Sequence, residues 1–123
     1  MAKRIMVVDD NPAIRKILRN ILEFDRDWIV CGEGVDGRDG VEKAKALSPD
    51  LIVLDVSMPV MNGLEAARIL HEIMPSVPVI LCSLHTDRVL EMEARGAGVT
   101  AVFSKAENMQ TLISKARELL NTA

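Results

Sequence analysis

Short runs of apolar residues alternate along this chain with longer segments in which apolar residues recur every third or fourth position. A short β-branched run is typical of a buried strand, and the wider spacing is typical of one face of a helix. The runs predict five strands, over residues 4–8, 28–32, 51–54, 77–82 and 101–103. The other segments predict five helices, the first beginning at Pro12 and the rest spanning 38–47, 63–73, 86–95 and 108–120.

The first helix has the clearest start signal. Asn11 is a residue type that caps helices through its side-chain oxygen, and Pro12 suits the first helical position, where no backbone N–H is needed. The apolar residues that follow form one stripe: Ile14, Ile17, Leu18, Ile21 and Leu22. A helix therefore starts immediately after the acidic pair Asp9 and Asp10.

Strands that alternate with helices predict an α/β fold. Parallel neighbours need crossover connections, and right-handed crossovers place helices on both faces of the sheet. The runs IMVV, LIVL and VILC are apolar at successive positions, as expected for strands buried on both faces. Since no linker interrupts the pattern, residues 1–123 are predicted to form a single domain. The expected fold is a doubly wound, five-stranded parallel sheet with its ligand site beyond the carboxyl ends of the strands.

Composition and charge narrow the range of partners. The formal net charge of -3 argues against direct nucleic-acid binding, because affinity for phosphates needs clustered Lys and Arg. No apolar run has the length of a membrane span, and residues 1–10 lack the order of a secretory signal, so a cytoplasmic location is expected. Cys31 and Cys82 lie in apolar stretches, which favours reduced thiols over a disulfide.

Polar or charged residues follow four of the predicted strands. They are Asp9 and Asp10 after the first strand, Asp55 after the third, Ser83 after the fourth and Lys105 after the fifth. Because the carboxyl ends of parallel strands meet at one edge, these side chains are expected to converge. An acidic pair alone is an ordinary solvated turn, but four strands that end in compatible groups make a more specific pattern.

Such a cluster suits metal-assisted phosphoryl transfer. Neighbouring carboxylates repel one another and attract a cation, and hard oxygen ligands suit Mg²⁺. An Asp carboxylate can attack phosphorus to give an acyl phosphate when cationic groups offset charge on the transferring oxygens. On this reasoning Asp55 is the nucleophile, Lys105 supplies a fixed positive charge and Ser83 supplies a hydroxyl donor.

The residues of this pattern resemble the receiver domain of bacterial two-component response regulators. The resemblance covers essentially the whole chain and rests on VVDDNP, LIVLDVSMPVMNG, PVILCS and FSK, in that order. It implies the flavodoxin-like strand order 2-1-3-4-5. It also implies a phosphorylation-dependent signalling switch rather than an enzyme that acts on an outside substrate.

The resemblance also implies roles for single residues. Asp55 would accept a phosphoryl group from a histidine kinase or a phosphotransfer protein, and Ser83 and Lys105 would bind the phosphoryl oxygens. Mg²⁺ would be held by Asp10, by Asp9 mainly through water, by Asp55 and by the backbone carbonyl of Ser57. Movement of Ser83 would change the surface of the fourth helix, fifth strand and fifth helix. That surface would bind an output domain, a downstream protein or a second copy in a phosphorylation-linked dimer.

Three residues depart from the family pattern. Ala106 stands where a proline after a cis peptide bond, or an acidic residue, usually follows the lysine, so a trans bond or a strained loop is expected. Val102 replaces an aromatic residue, and Phe103 is expected to face the opposite side of the sheet. Leu84 replaces a small residue and is expected to narrow access to the site.

Several alternatives stay open at this level. His85 and Ser57 flank the site mouth in this family and are hypothesised to tune water attack on the acyl phosphate, although His85 could equally be a solvated loop residue.

A phosphohydrolase with an Asp nucleophile is a competing interpretation, but such enzymes carry a second Asp where this chain has Ser57. A receiver-like interaction module without phosphorylation is supported only by Ala106, Val102 and Leu84. The chain is expected to be either a stand-alone regulator or a receiver from a longer protein.

Overall fold

One sheet of parallel strands forms the centre of the protein. In the computed structural model, which describes residues 2–121, the five strands are β1 (Lys3–Val8), β2 (Trp28–Gly34), β3 (Leu51–Asp55), β4 (Val79–Ser83) and β5 (Ala101–Ser104). They are hydrogen-bonded in the order β2-β1-β3-β4-β5. The predicted doubly wound, flavodoxin-like order is therefore confirmed.

Two strand boundaries differ from the sequence prediction. β2 continues to Gly34 rather than residue 32, because its pairing with β1 resumes after a register shift. β4 begins at Val79 rather than residue 77, since Pro78 has no backbone N–H and Val77 donates to the Met74 carbonyl at 3.1 Å in the preceding turn. The other three strands agree with the prediction to within one residue.

Within residues 2–121, five helices connect the strands: α1 (Pro12–Leu22), α2 (Gly37–Leu47), α3 (Gly63–Ile73), α4 (Arg88–Gly96) and α5 (Met109–Leu120). Each follows an Asn or Asp whose side chain accepts a backbone N–H of the first turn: Asn11, Asp36, Asn62, Asp87 and Asn108. The Asp87 cap explains why α4 begins two residues later than predicted. None of the helices in this part of the chain is long and apolar enough to cross a bilayer.

Both faces of the sheet are buried. Ile5 and Val53 pack on the face covered by α1 and α5, whereas Met6 and Leu54 pack on the face covered by α2, α3 and α4. Successive apolar residues of a strand therefore enter different core layers, as the uninterrupted apolar runs predicted. Layers on both faces leave only the edges of the sheet and the ends of its strands open to a ligand.

The two cysteines lie on opposite faces of the sheet and are both free thiols. Cys31 of β2 is partly buried, and Cys82 of β4 is buried beside the carboxyl end of β3. Burial raises the pKa of the Cys82 thiol to about 12. Because the two thiols lie on opposite faces of the sheet, they do not pair with each other, and Cys82 is a packing residue whose raised pKa disfavours the reactive thiolate.

Candidate functional site

Three carboxylates meet at the carboxyl ends of β1 and β3. These strands are neighbours, and Val8 pairs with Leu54, so the residues that follow them emerge at the same rim. One oxygen of each of Asp9, Asp10 and Asp55 lies within 4.8 Å of the other two. Asp9 and Asp55 are only 2% and 6% exposed, whereas Asp10 faces solvent. The structure thus brings together the three acidic residues that the sequence predicted to converge.

The acidic pair forms the turn between β1 and α1. The Asp9 backbone N–H donates to the Gly34 carbonyl at 3.1 Å, which extends the pairing with β2 by one residue. The Asp9 carboxylate accepts the Asn11 backbone N–H at 2.9 Å, and the Asn11 side chain caps α1. The hydrogen bonds of Asp9 and Asn11 thus connect the end of β1 directly to the first turn of α1. In this turn Asp9 is buried and Asp10 is exposed.

Lys105 provides the positive charge of the cluster. Its Nζ lies 2.9 Å from Asp55 Oδ1 and 3.5 Å from Asp9 Oδ2. Burial lowers the pKa of Lys105, but the hydrogen bond to Asp55 and the charges of Asp55 and Asp9 outweigh burial, so this pKa is raised overall. Burial raises the pKa of Asp55, the Lys105 hydrogen bond opposes that effect, and the Asp9 charge adds to it. The ammonium is therefore protonated at neutral pH, while the Asp55 carboxylate lies in an environment that disfavours its negative charge.

The donor set fits a hard divalent cation. The Lys105 ammonium pairs with Asp9 and Asp55, two of the three clustered carboxylates, so the negative charge of the cluster is only partly compensated. Ser57 and the three carboxylates line the same open cleft, which has a volume of about 320 Å³. Several oxygen donors with excess negative charge and access to solvent are what Mg²⁺ requires in proteins.

Glycine shapes the loop that carries Ser57. The Gly63 backbone N–H donates to the Val56 carbonyl at 2.9 Å, which folds the loop back onto β3. A Cβ atom at Gly63 would collide with the Asp55 carbonyl oxygen, so no larger residue fits this close approach. Asn62 supplies the cap of α3. The Asn-Gly pair thus shapes the end of the loop between β3 and α3.

Ser83 ends β4 at the same rim, but its hydroxyl is already engaged. It donates to the His85 backbone carbonyl at 2.7 Å, within the loop that leads to α4. Lys105 lies alongside, since its backbone N–H donates to the Ser83 carbonyl at 2.7 Å. The His85 residue is exposed, and its proposed effect on phosphate lifetime stays a prediction.

Ser104 is a buried polar residue at this rim that sequence reasoning did not single out. It ends β5 and pairs with Ser83 across the two strands. Its hydroxyl donates to the Leu84 carbonyl at 3.5 Å and accepts the Ala106 backbone N–H at 3.2 Å. Ser83 and Ser104 therefore hold consecutive carbonyls of the loop before α4. The signal that marked Ser83, a polar residue ending an apolar strand, could have found Ser104 as well.

The three departures from the family pattern have visible structural outcomes. No peptide bond among the described residues is cis, so the bond before Ala106 is trans, as expected. Phe103 is buried beneath α1 and α5, whereas Val102 packs on the other face. Leu84 is 68% exposed and lines the cleft beside Asp10 and Lys105. Leu84 thus forms part of the cleft wall, and its effect on phosphoryl entry stays a prediction.

Comparison with known proteins agrees with this geometry. A family model described as the response regulator receiver domain matches residues 5–117. The chain belongs to this family. The receiver has the same fold as the response regulator domain of Thermotoga maritima CheB, whose crystal structure aligns with a TM-score of 0.91 at 29% identity, over 100% of this chain and 99% of that one.

Sequence relatives include both small and large regulators. Chemotaxis protein CheY of Thermotoga maritima is 38% identical over 98 residues, or 80% of this chain and 81% of that protein. A protein-glutamate methylesterase/protein-glutamine glutaminase of Nocardioides sp. is 38% identical over 108 residues, or 86% of this chain. The receiver spans only 30% of the length of that second relative. The family is one of phosphorylation-dependent signalling switches, and this chain has the regulatory role of a receiver.

Proposed function

We propose that this receiver accepts a phosphoryl group on Asp55, from a histidine kinase or a phosphotransfer protein, in a reaction that needs Mg²⁺. The observation that carries the proposal is the contact of the buried Asp55 carboxylate with Lys105 at 2.9 Å, beside Asp9 and Asp10. A carboxylate oriented by a cation and adjacent to a fitting metal site has the parts of an acyl-phosphate acceptor.

In the proposed reaction, an oxygen of Asp55 forms a bond to phosphorus while the bond between phosphorus and the donor nitrogen breaks. The electron pair of the breaking bond stays on the donor imidazole. When bound, Mg²⁺ supplies positive charge to the transferring oxygens. Lys105, which follows β5, contributes a second positive charge, and Asp9, Asp10 and the Ser57 carbonyl would hold the ion.

The proposed output step begins at Ser83. Its hydroxyl donates to a neutral carbonyl, that of His85, and a phosphoryl group on Asp55 would be a stronger, charged acceptor. Transfer of this hydrogen bond to the phosphoryl group would release the His85 carbonyl and shift the loop before α4. The surface of α4, β5 and α5, where Val89 and Met92 are exposed, would then change its affinity for an output domain, a downstream protein or a second copy.

Intact-mass spectrometry tests this proposal. Wild type and Asp55→Asn are incubated with acetyl phosphate, each in the presence of Mg²⁺ or of EDTA. We expect one phosphoryl adduct on the wild type with Mg²⁺, very little with EDTA, and none on Asp55→Asn. Circular dichroism of both proteins checks that the variant is folded. An equal adduct on Asp55→Asn would contradict the acceptor assignment, and an equal adduct in EDTA would contradict the requirement for Mg²⁺.

A further inference from the structure

Arg15 of α1 lies directly beneath the acidic turn without being one of its metal-binding groups. We propose that Arg15 is a positioning residue for the metal site: its guanidinium fixes the peptide between Asp9 and Asp10, and Glu33 of β2 fixes the guanidinium. This inference rests on the proposed Mg²⁺ site. It adds α1 and β2 to the elements that determine how well the site binds its ion.

Two contacts define the orientation of the Arg15 guanidinium. Its Nη1 donates to the Asp9 carbonyl oxygen at 2.7 Å, and its Nε contacts Glu33 Oε1 at 2.9 Å. The side chain is only 14% exposed. Because a guanidinium is rigid and planar, holding Nε at Glu33 also fixes the direction in which Nη1 donates. Arg15 is therefore a fixed donor rather than a mobile surface cation.

The Asp9 carbonyl matters because it belongs to the same planar peptide unit as the Asp10 nitrogen. A donor that fixes the orientation of this carbonyl therefore also fixes the orientation of the peptide plane and the position of the Asp10 Cα atom. The Asp10 carboxylate has neither a hydrogen bond nor an ion pair to any residue in 2–121. Backbone orientation is thus the main structural control on where this exposed carboxylate points.

Glu33 is itself held by several groups. Arg19, one turn after Arg15, donates to Glu33 Oε2 from Nε at 3.0 Å and from Nη2 at 2.8 Å. Lys43 of α2 donates to the Glu33 backbone carbonyl at 2.6 Å. The Arg19 hydrogen bond, opposed by burial and supported by Arg15, lowers the pKa of Glu33. Glu33 is therefore a fixed anion, with a separate oxygen for each arginine.

Positioning and electrostatics predict opposite results when Arg15 is removed. A cation beside the acidic turn repels a second cation, so loss of the guanidinium charge alone would tighten Mg²⁺ binding. Loss of the hydrogen bond to the Asp9 carbonyl would loosen the turn and weaken binding. Groups that orient metal ligands typically affect affinity by tenfold or more. The sign of the change therefore distinguishes the two roles.

The test is Mg²⁺ affinity of the metal-free, unphosphorylated protein, measured by isothermal titration calorimetry. We expect Arg15→Gln to weaken binding roughly tenfold. Arg19→Gln is the matched control, because it removes the same charge and a contact with the same Glu33 but leaves the Asp9 carbonyl contact in place. Because Arg19 also helps to hold Glu33, this control is expected to weaken Mg²⁺ binding, but by clearly less than Arg15→Gln does, within about threefold of wild type. The backbone amide shift of Asp10 in NMR spectra should change more in Arg15→Gln than in Arg19→Gln.

Arg15→Lys provides a second variant in case glutamine disturbs α1. It retains the charge and the helix propensity, but an ammonium lacks the planar geometry that joins Glu33 to the Asp9 carbonyl. We expect this variant to bind Mg²⁺ severalfold more weakly than wild type. Wild-type or tighter affinity in Arg15→Gln, or wild-type affinity in Arg15→Lys, would overturn the positioning role. A wild type that binds no Mg²⁺ would instead overturn the proposed metal site, and this inference with it.

Discussion

The two ends of the same sheet use charged side chains in different ways. At the amino end of β1, Arg4 donates from its guanidinium to the Leu47 and Ser48 carbonyls at the end of α2. Its backbone N–H donates to the Asp50 carboxylate at 2.8 Å. The charges of Arg4 and Asp50 thus each contact a backbone group at the end of a helix or strand. The charged side chains described at this end therefore satisfy backbone hydrogen bonds and stabilise the fold.

At the carboxyl ends of the strands, charges face one another instead. Asp9, Asp10 and Asp55 lie close together, Lys105 pairs with Asp9 and Asp55, and the pKa of Asp55 is raised chiefly by burial. Like charges held together by a folded chain cost stability unless an outside cation compensates them. The comparison teaches that the charges described at the amino end are paired within the chain, whereas the carboxyl end keeps negative charge that an outside cation could compensate.

Substitution at the amino end should have the largest effect on stability. Arg4→Met keeps an unbranched apolar stem but leaves the last carbonyls of α2 without their donor. We expect the free energy of unfolding to fall by about 2 kcal/mol, the scale of hydrogen bonds from a charged donor. Urea unfolding followed by the fluorescence of Trp28 measures it. Mg²⁺ affinity should not change.

Arg26→Met is the control for Arg4→Met. Arg26 is exposed in the loop between α1 and β2, so this change should alter stability by less than about 0.5 kcal/mol. If the two variants lost the same stability, Arg4 would not have the helix-capping role that distinguishes the amino end.

The comparison also separates what sequence could predict from what it could not. The polar residues that follow apolar strands could be found from sequence, because parallel strands deliver them to one rim. The role of Arg15 could not, since its position on α1 indicates only a polar face and not a contact with the Asp9 carbonyl. Likewise, the hydrogen bond from Ser83 to His85 depends on a loop conformation that has no periodic signal. Periodicity predicts elements, whereas side-chain contacts between elements need coordinates.

Asp9→Asn should have the opposite effect to Arg4→Met in metal-free buffer. Asparagine keeps the oxygen that accepts the Asn11 N–H but removes one of the crowded charges. We expect the free energy of unfolding to rise by about 1 kcal/mol at neutral pH, the scale of the repulsion between two charges about 4 Å apart in water. Added Mg²⁺ should stabilise the wild type and have much less effect on the variant. Thermal unfolding with Mg²⁺ and with EDTA measures both effects.

The pH dependence gives an independent check on Asp9→Asn. The pKa of Asp55 is raised in the folded state, so the folded protein binds this proton more tightly than the unfolded chain does. Stability of the metal-free wild type from this group is therefore greatest at acidic pH and is lost as pH rises through the folded pKa. The variant lacks the Asp9 charge that helps to raise this pKa, so its loss should be smaller. An equal loss in both proteins would contradict the repulsion between Asp9 and Asp55.

The smallest expected effect concerns the backbone. Val60, in the loop after β3, has a φ of 68°, and Ser48, at the end of α2, has a φ of 49°. A β-branched residue is strained in this left-handed region, whereas a small polar residue at a helix end is strained less. We expect Val60→Gly to raise the free energy of unfolding by roughly 0.5 kcal/mol, because relief of strain exceeds the entropy cost of glycine. Ser48→Gly should be close to neutral in the same urea titration. That difference would locate backbone strain in the loop after β3 and not at the end of α2. Equal changes in the two variants would mean that backbone strain does not distinguish the two ends of the sheet.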